Sequence, residues 1–312
     1  FMSTVGIMEL PVICLFGSTA SGKTDLAIKL FKEFPLDIIN VDSAQIYRGM
    51  NIGTAKPKKE ILNQFPHRLI DILDPEASYS VGHFVKDANI EIKRSHDKGR
   101  IPLLVGGTML YFHALIEGLS DLPEGNSNIR NTINHEAKEI GWPAMHKKLA
   151  DIDSLAAKRI NPHDGQRIQR AIEVFELSGR NISDWQEKKI KNNNYRFIKL
   201  AITHHTRLEI HQRINDRFIK MLDEGFIQEV KVLMERESLT SSHSSMRAVG
   251  YRQIWAYLEG QMSIDEAVKK AQASTRQFAK RQITWLRSTT NVISVDSNSE
   301  SIFEIIAPEI QK

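Results

Sequence analysis

The sequence predicts an α/β protein in which a P-loop core, with a mostly parallel sheet flanked by helices, is interrupted by an inserted all-helical subdomain. Three observations support this fold class. Over the first 120 residues, short apolar runs alternate with amphipathic stretches, as a parallel sheet with crossover helices requires. A glycine-rich loop separates the first apolar run from the first amphipathic stretch. The strand pattern disappears between residues 123 and 194 and then returns.

Short apolar runs bounded by turn residues are interpreted as buried strands. Each run is five to seven residues long, a length typical of strands and too short for most helices. In chain order they are Pro11–Phe16 (PVICLF), Asp37–Val41 (DIINV), Arg68–Leu73 (RLIDIL), Ile101–Val105 (IPLLV), Phe197–Thr203 (FIKLAIT) and Asn291–Val295 (NVISV).

Helices are predicted where apolar residues recur every three or four positions. Phe84, Ala88 and Ile92 form such a stripe in the second predicted helix. Ser263 and Glu266 form a capping box, which predicts the start of a long C-terminal helix. The predicted core helices are Lys23–Phe34, Val81–Lys98, Leu208–Leu222, Phe226–Arg236, Gln253–Leu258, Ile264–Arg287 and Ile302–Ile310.

The middle of the chain is polar and helical, with breaks at Gly141-Trp142-Pro143, Asn161-Pro162 and Ser178-Gly179-Arg180. We therefore expect residues 123–194 to form the inserted helical subdomain. Residues 8–122 and 195–312 are expected to form the P-loop catalytic core with its C-terminal helices.

Composition excludes several classes of protein. No run approaches the roughly 18 apolar residues of a membrane span, so we expect no membrane partner. The single cysteine, Cys14, excludes an intramolecular disulfide and a cysteine-rich zinc module. The first six residues lack the basic and apolar regions of a secretory signal. We therefore expect a cytoplasmic protein, acting as a monomer.

The net charge of +4 is unevenly distributed along the chain. Residues 154–217 carry 13 Lys and Arg against 7 Asp and Glu, and residues 247–287 carry 8 against 3, so the remainder carries −7. Charge segregated in this way suggests a polyanionic partner, although ordinary solvated helix faces would give the same counts.

A phosphate-binding loop is the clearest motif. Gly17-Ser18-Thr19-Ala20-Ser21-Gly22-Lys23-Thr24 matches G-x-x-x-x-G-K-[ST] and lies between a predicted strand and a predicted helix, which is the context of a P-loop. Its backbone amides are expected to bind phosphates, with Lys23 at the outer phosphate and the Thr24 hydroxyl at Mg²⁺.

The apolar run Ile101–Val105 ends in Gly106-Gly107-Thr108, without the terminal acidic residue of a nucleoside triphosphatase. The strand-end carboxylate on the P-loop side is instead Asp42, which follows DIINV. Since ligands bind at the C-terminal strand edges of open parallel sheets, Asp42 should lie close to the phosphates. From its position alone it could also be a helix cap or a magnesium ligand.

Five segments resemble, in order, the signature blocks of the tRNA dimethylallyltransferase family, also called tRNA isopentenyltransferases. The resemblance extends from about Pro11 to Arg287. Ser18 departs from the family's usual proline, and the single cysteine excludes the zinc finger of some eukaryotic members, so the chain resembles the shorter bacterial type. The five segments are Asp42–Pro57 (DSAQIYRGMNIGTAKP), Gly106–Tyr111 (GGTMLY), Asp164–Ala171 (DGQRIQRA), Arg247–Arg252 (RAVGYR) and Lys280–Arg287 (KRQITWLR).

The resemblance implies that the dimethylallyl group of dimethylallyl diphosphate moves to N6 of the adenine 3′-adjacent to the anticodon, with tRNA bound through its anticodon stem-loop. No γ-phosphate is then cleaved, which accounts for the missing strand-end acid. Lys23, Mg²⁺ and the loop amides would stabilise the departing diphosphate, and Thr19 would hydrogen-bond near its bridging oxygen. Asp42 would be the general base for the N6 proton. Gln45 would pair with the edge of the extruded adenine.

The same resemblance assigns contacts with tRNA. The basic side of the last long helix, with Arg276, Lys280 and Arg287, is interpreted as a phosphate track, and Trp285 as a packing residue. Arg217 would contact the diphosphate or form a surface salt bridge. By its pattern alone, the helix of residues 164–178 would be an ordinary surface helix. The assigned tRNA contacts are Asp42, Ser43, Ala44, Gln45, Thr108, Arg130, Gln166, Arg167, Ile168, Gln169, Arg170, Arg247, Ala248, Val249, Gly250, Tyr251, Arg252, Lys280, Arg281, Gln282, Ile283, Thr284, Trp285, Leu286 and Arg287.

Two other functions compete with prenyl transfer. A nucleotide or small-molecule kinase would use the same P-loop, but the missing strand-end acid and the DSAQIYRGMNIGTAKP segment argue against it. A non-catalytic RNA-binding protein with a nucleotide switch would suit the basic stretches, but it would leave Asp42 without a role.

Overall fold

The computed structural model describes residues 9–187, 189–190, 195–203, 206–296 and 301–311. Residues 1–6, on which the expectation of no secretory signal rests, lie outside this part of the chain. The chain divides into two compact units, a core unit of Phe1–Ala114 with Asn193–Lys312 and a helical unit of Leu115–Asn192. Throughout the described ranges, the helices lack the length and apolar character that crossing a membrane demands.

The core unit contains a six-stranded parallel sheet. The strands of the whole chain are β1 (Leu10–Gly17), β2 (Leu36–Val41), β3 (His67–Arg68), β4 (Ile101–Gly106), β5 (Leu119–Ser120), β6 (Lys189–Ile190), β7 (Tyr195–Ile202) and β8 (Val292–Val295). The sheet has the order β3-β2-β4-β1-β7-β8, and every neighbouring pair is parallel. The predicted fold class is confirmed.

Helices pack on this sheet and form the rest of both units. They are α1 (Lys23–Glu33), α2 (Lys59–Gln64), α3 (Val81–Asp97), α4 (Met109–Glu117), α5 (Ser127–Ile140), α6 (Trp142–Ile152), α7 (Ser154–Arg159), α8 (Gly165–Ser178), α9 (Ile182–Glu187), α10 (Arg207–Asp223), α11 (Phe226–Met234), α12 (Tyr251–Leu258), α13 (Ile264–Ser288) and α14 (Ser301–Gln311).

The sheet core of this unit joins β1, β2 and β4 to α1 and α14. Ile13, Ile38 and Leu103 of the strands are fully buried against Leu26 of α1 and Ile306 of α14. Burying a side chain of this size contributes about 1.5–3 kcal/mol, so this layer supplies much of the stability that holds the strand ends in place.

The register of the central strands brings three strand ends together. Gly106 pairs with Phe16 of β1 on one side and with Val41 of β2 on the other. A side chain at Gly106 would place its Cβ 2.0 Å from the carbonyl oxygen of Val41, so only glycine fits there. The P-loop, Asp42 and Gly107 therefore all begin at one edge of the sheet.

The predicted strand RLIDIL is wrong over most of its length. Only His67–Arg68 belongs to β3, because Leu69 and Asp71 take left-handed backbone conformations with φ of 61° and 53°. Side chains from outside the segment contact this bend: Nδ2 of Asn40 donates to the carbonyl oxygen of Leu69, and Nζ of Lys56 pairs with the Asp71 carboxylate. The helices α2 and α4 were not predicted, and β6 lies in the section where no strand was expected.

The helical unit contains α5 to α9, with β5 and β6 paired antiparallel. Its core is formed by Ile133, Met145, Leu149, Ile168 and Ile172, all almost fully buried. The unit begins within α4, at Leu115, whereas the sequence placed the start of the insertion at residue 123.

Candidate active site

The P-loop connects β1 to α1 and folds around its own lysine. Nζ of Lys23 donates to the carbonyl oxygens of Gly17 and Ser18 at 2.9 and 2.7 Å. Ala20 and Gly22 both take left-handed conformations, with φ of 63° and 88°. These two positive φ values produce a tight turn, and the Lys23 ammonium group lies over the loop, where a phosphate chain would bind.

Lys23 is in an unusual electrostatic environment for a lysine. Burial and, to a smaller extent, the positive charge of Arg217 lower its pKa to about 7, while Asp42 acts in the opposite direction. A group poised between its two protonation states is sensitive to any charge that enters the site. An anion bound in the loop would favour the ammonium form.

Helix α10 brings two further cations to the P-loop. Nη1 of Arg217 donates to the hydroxyl of Thr19 at 3.5 Å, and Nη1 of Arg213 donates to the carbonyl oxygen of Ala20 at 3.5 Å. Burial lowers the pKa of Arg217, and Asp42 raises it. Among the described residues, no carboxylate forms a salt bridge with Arg217. Of the two roles that the sequence allowed, contact with the diphosphate therefore fits its surroundings better than a surface salt bridge.

Asp42 follows β2 and is held by its own backbone. Its Oδ1 accepts hydrogen bonds from the amides of Ala44 at 2.8 Å and Gln45 at 3.2 Å. Its Oδ2 accepts no hydrogen bond from the described part of the chain. Since Asp42 acts electrostatically on both Lys23 and Arg217, the carboxylate and the loop cations share one site.

Thr108 links the strand ends on either side of that carboxylate. Its backbone amide donates to the carbonyl oxygen of Val41 at 3.2 Å, and its Oγ1 accepts from the amide of Ser43 at 3.0 Å. The GGT sequence therefore joins the end of β4 to the residues on both sides of Asp42.

A partly buried carboxylate anchors the loop that follows Asp42. Glu229 of α11 accepts hydrogen bonds from the amides of Asn51, Ile52 and Gly53 at 2.7 to 3.2 Å, and from the hydroxyl of Tyr251. The sequence did not identify Glu229, because a glutamate on an amphipathic helix gives no signal of a partner far away in sequence.

Gln45 is also committed to this loop. Its Nε2 donates to the carbonyl oxygens of Thr54 and Ala55 at 3.1 and 3.4 Å, so only Oε1 is left for a base. Lys56, which the sequence analysis did not identify, also contacts this loop. Its side chain is nearly buried, and its Nζ donates to the carbonyl oxygen of Tyr47 at 2.8 Å. Burial lowers the pKa of Lys56, although its pairing with Asp71 opposes this.

A basic cavity of about 540 Å³ lies between α10 and α13. The predicted track of Arg276, Lys280 and Arg287 lines it, together with Arg207 and His211. His211 has a lowered pKa because of burial and the positive charges of Arg207 and Arg276. Such a concentration of positive charge suits a polyanion.

Several predicted tRNA contacts are instead buried. Ile168, Gln282, Leu286 and Tyr251 are at most 8% exposed, so their side chains cannot reach a ligand on the surface. Trp285 packs edge to face on Phe16, with ring centroids 5.6 Å apart, as expected of a packing residue. Gly250, the residue that precedes α12, is also buried and takes a φ of 94°.

Two predicted tRNA contacts in the helical unit share a buried partner. The carboxylate of Glu173, which is fully buried, accepts from Nε of Arg130 at 2.8 Å and from Nη1 of Arg170 at 2.7 Å. The amide of Asn126 donates to the same group at 2.7 Å. Burial raises the pKa of Glu173, but the hydrogen bonds from Arg170, Arg130 and Asn126 outweigh it and lower the pKa overall.

The remaining predicted contacts lie on the surface or partly on it. Gln169 is partly buried and donates to Oδ1 of Asn134 at 2.7 Å. Ser43 is exposed, whereas these other predicted contacts are partly buried: Ala44, Gln45, Ala248, Val249 and Ile283. The other exposed members are Gln166, Arg167, Arg247, Arg252, Lys280, Arg281, Thr284 and Arg287.

A parallel sheet whose first strand and first helix enclose a glycine-rich loop, with a lysine over that loop, defines a P-loop protein with a polyphosphate site. Comparison with known proteins narrows this class. The family model described as IPP transferase matches residues 45–289, and the model described as isopentenyl transferase matches residues 10–71. The chain belongs to the IPP transferase family.

Individual relatives agree with this assignment. A tRNA dimethylallyltransferase of Nitrosococcus oceani is 50% identical over 295 residues, which is 94% of each chain. The crystal structure of a Bacillus halodurans tRNA isopentenylpyrophosphate transferase is 34% identical, with a TM-score of 0.70 over 96% of this chain and 97% of that one. A eukaryotic dimethylallyltransferase, described as acting on tRNA, shares the fold at 23% identity, with a TM-score of 0.79 over 96% and 77%.

Proposed function

We propose that this chain is a tRNA dimethylallyltransferase, which moves the dimethylallyl group of dimethylallyl diphosphate to N6 of the adenine 3′-adjacent to the anticodon. One observation carries the proposal: Asp42 and the P-loop cations Lys23 and Arg217 act on one another within a single site. A proton acceptor and a diphosphate cradle are what this reaction requires side by side. The relatives, named as transferases that act on tRNA, do not favour the kinase alternative.

The diphosphate is the leaving group. As the allylic C–O bond breaks, negative charge grows on its bridging oxygen, and groups aimed at that oxygen lower the barrier. Lys23, Arg217 and the hydroxyl of Thr19 lie on the loop or directly beside it. We assign them to the departing diphosphate, with the backbone amides of the loop.

The nucleophile is the exocyclic amine of adenine, which must lose a proton as its bond to carbon forms. Asp42 accepts two backbone hydrogen bonds at Oδ1, which fixes its orientation and leaves Oδ2 to receive that proton. In this step the allylic C–O bond breaks and an N–C bond forms, while the proton of the amine passes to Asp42 and diphosphate leaves. Oε1 of Gln45 would accept from the same amine.

A divalent metal, which we take to be Mg²⁺, fits the residues present. The described residues contain no cluster of three or more His, Cys, Asp or Glu that could hold a metal by themselves. Mg²⁺ does not need one, because it commonly binds through one or two protein oxygens, substrate phosphates and water. The hydroxyl of Thr24 would be its protein ligand, and the ion would neutralise charge on the diphosphate.

The tRNA would bind to the exposed cations. In the core unit, the exposed cations among the predicted contacts are Arg247, Arg252, Lys280, Arg281 and Arg287. In the helical unit, Arg167 is exposed and would contribute in the same way, so we propose that residues 123–194 include the tRNA-binding subdomain. Phosphate contacts of this kind supply affinity that falls as salt rises. We propose that the reaction takes place in the cytoplasm, where a tRNA substrate would be met.

The test is direct. The protein is incubated with dimethylallyl diphosphate, Mg²⁺ and unmodified tRNA, and the nucleosides are examined by mass spectrometry for prenylated adenosine. Product at the adenine 3′ to the anticodon is expected. No product, together with ATP-dependent phosphorylation of an acceptor, would overturn the proposal in favour of a kinase.

A further inference from the structure

Gln282 of α13 lies between two parts of the proposed active site. The residue is only 3% exposed. Its Oε1 accepts from the backbone amide of Thr19 in the P-loop at 2.9 Å, and its Nε2 donates to the carbonyl oxygen of Gly107 at 2.7 Å. One side-chain amide therefore bridges segments that are 88 residues apart in the chain.

A carboxamide satisfies both partners at once. Thr19 presents a donor and Gly107 presents an acceptor, so the bridging group must accept at one end and donate at the other. A Cβ at Gly107 would lie 2.4 Å from Nε2 of Gln282, so a side chain there would displace this amide from its position. The second glycine of the GGT sequence is thus explained by the close approach of this amide.

The two ends of the bridge lead to different halves of the reaction. On one side, the hydroxyl of Thr19 receives a hydrogen bond from Arg217 at 3.5 Å, next to the diphosphate cradle. On the other side, Gly107 precedes Thr108, whose Oγ1 accepts from the amide of Ser43 at 3.0 Å, one residue from Asp42. Since Gln282 occupies the amide of Thr19, only the hydroxyl of Thr19 is left for the diphosphate.

We propose that Gln282 is a positioning residue, which sets the distance between the diphosphate cradle and the segment that carries the general base. This inference rests on the proposed function. It assigns Gln282 a different role from the direct tRNA contact that its place in the KRQITWLR segment suggests. Because near-attack geometry is sensitive to small displacements, loss of the bridge lowers turnover more than it weakens either substrate.

The Gln282→Glu variant separates positioning from ordinary packing. Its ionised carboxylate can still accept from Thr19 but repels the carbonyl oxygen of Gly107. Its protonated form can accept and donate, as the amide does. A buried carboxyl group facing a carbonyl oxygen stays protonated to a higher pH than an exposed one. Activity relative to the wild type should therefore recover as pH falls.

The experiment measures kcat and the KM for dimethylallyl diphosphate and tRNA between about pH 5.5 and 8.5, a range over which a buried carboxyl group can titrate. At the alkaline end, kcat of Gln282→Glu should fall by about 10- to 100-fold, with both KM values little changed. The ratio of kcat in Gln282→Glu to kcat in the wild type should rise towards one at the acid end of this range. Gln282→Leu should be impaired at every pH.

Gln253 of α12 provides a matched control. It is 4% exposed, its Oε1 accepts from the amide of Gly250 at 2.8 Å, and its Nε2 donates to Ser274 at 3.4 Å. Gln253→Glu changes a buried amide in the same way, but it does not touch the P-loop. Its ratio to wild type should not vary with pH, and thermal melting should show whether each variant is folded.

Three results would overturn the inference: a ratio for Gln282→Glu that does not change with pH, full kcat for Gln282→Leu, or the same recovery in Gln253→Glu. If Gln282→Leu does not fold, the pH dependence of Gln282→Glu decides alone. A wild-type protein that makes no prenylated tRNA contradicts the proposed function instead, so the two failures are distinguishable.

Discussion

The guanidinium group of Arg217 extends from α10 to the P-loop, where its Nη1 donates to the hydroxyl of Thr19 at 3.5 Å. The same cation lowers the pKa of Lys23, after the larger effect of burial. Two positive groups thus lie beside one loop, and Asp42 favours the charged form of each. An anion bound beside them would relieve their repulsion, so these surroundings suit a diphosphate.

Removing the charge of Arg217 should weaken catalysis and move its pH dependence. In Arg217→Gln, kcat/KM for dimethylallyl diphosphate should fall by about 10- to 100-fold, as expected when a hydrogen bond to a charged group is lost. Because Arg217 lowers the pKa of Lys23, its removal should shift the alkaline decline of kcat/KM to higher pH. The profile is measured between about pH 6 and 9.5, a range that contains the lowered pKa of Lys23 and extends towards the ordinary value of a lysine.

Arg217→Lys is the matched variant for this prediction, since it keeps the charge and loses the planar fork. Its alkaline decline should stay where the wild type has it. A decline at the same pH in all three proteins would show that Lys23 and Arg217 do not interact.

Binding of diphosphate should take up a proton at Lys23. In the protein without a bound anion, Lys23 has a pKa of about 7, so above that pH its side chain is mostly neutral. A bound anion favours the ammonium form. Affinity for inorganic pyrophosphate should therefore fall as pH rises above about 7. Titration calorimetry at about pH 8, in buffers with different ionisation enthalpies, measures the proton uptake directly.

Two lysine variants in α1 test whether Lys23 is the group that takes up this proton. Lys23→Met should bind pyrophosphate more weakly and take up fewer protons than the wild type. Lys32→Met removes an exposed lysine at the far end of the helix and should behave like the wild type. Equal proton uptake in wild type and Lys23→Met would assign the titration to another group.

Replacing Asp42 by asparagine should remove the general base while keeping the turn. The amide oxygen of Asp42→Asn can still accept from Ala44 and Gln45, as Oδ1 does now. Turnover should fall by about 10² to 10⁴, the usual contribution of general-base catalysis, and tRNA affinity should change little. Single-turnover kinetics and filter binding measure the two quantities, and a parallel loss of affinity would make Asp42 a structural residue.

Features that depend on local pattern were predictable from the sequence. The P-loop, five of the six core strands and Asp42 at the end of β2 follow from apolar runs and fixed motif spacing. Resemblance to a family added the identity of the substrates. It also assigned whole blocks to tRNA, whereas the structure buries those members of the blocks that lie on the inward faces of the helices, such as Ile168 and Leu286.

Features that depend on pairing between distant residues were not predictable. Glu229, Glu173 and Gln282 are polar residues on amphipathic helices, and each finds its partners only through the tertiary fold. The bend after β3 has the same origin, because Leu69 and Asp71 adopt positive φ against their ordinary preference. A single sequence carries no local signal for such contacts.

Arginines of the helical unit differ in what they can offer to tRNA. The side chain of Arg167 is 73% exposed and lies 3.5 Å from Asp164, whereas that of Arg170 is 29% exposed and is paired with the fully buried Glu173. Nη2 of Arg170 also donates to the carbonyl oxygen of Pro123 at 2.7 Å. We therefore expect Arg167 to act mainly on binding and Arg170 mainly on stability.

Single alanine variants of these two arginines should separate the roles. Arg167→Ala should weaken tRNA binding uniformly and reduce the slope of log K against log salt by about 1, with an unchanged melting temperature. Arg170→Ala should lower the free energy of unfolding by about 1–3 kcal/mol, because a buried carboxylate loses one of its donors. Salt-dependent binding and chemical denaturation measure the two effects. An unchanged salt slope in Arg167→Ala would exclude α8 from the tRNA interface, since its most exposed cation would then contact no phosphate.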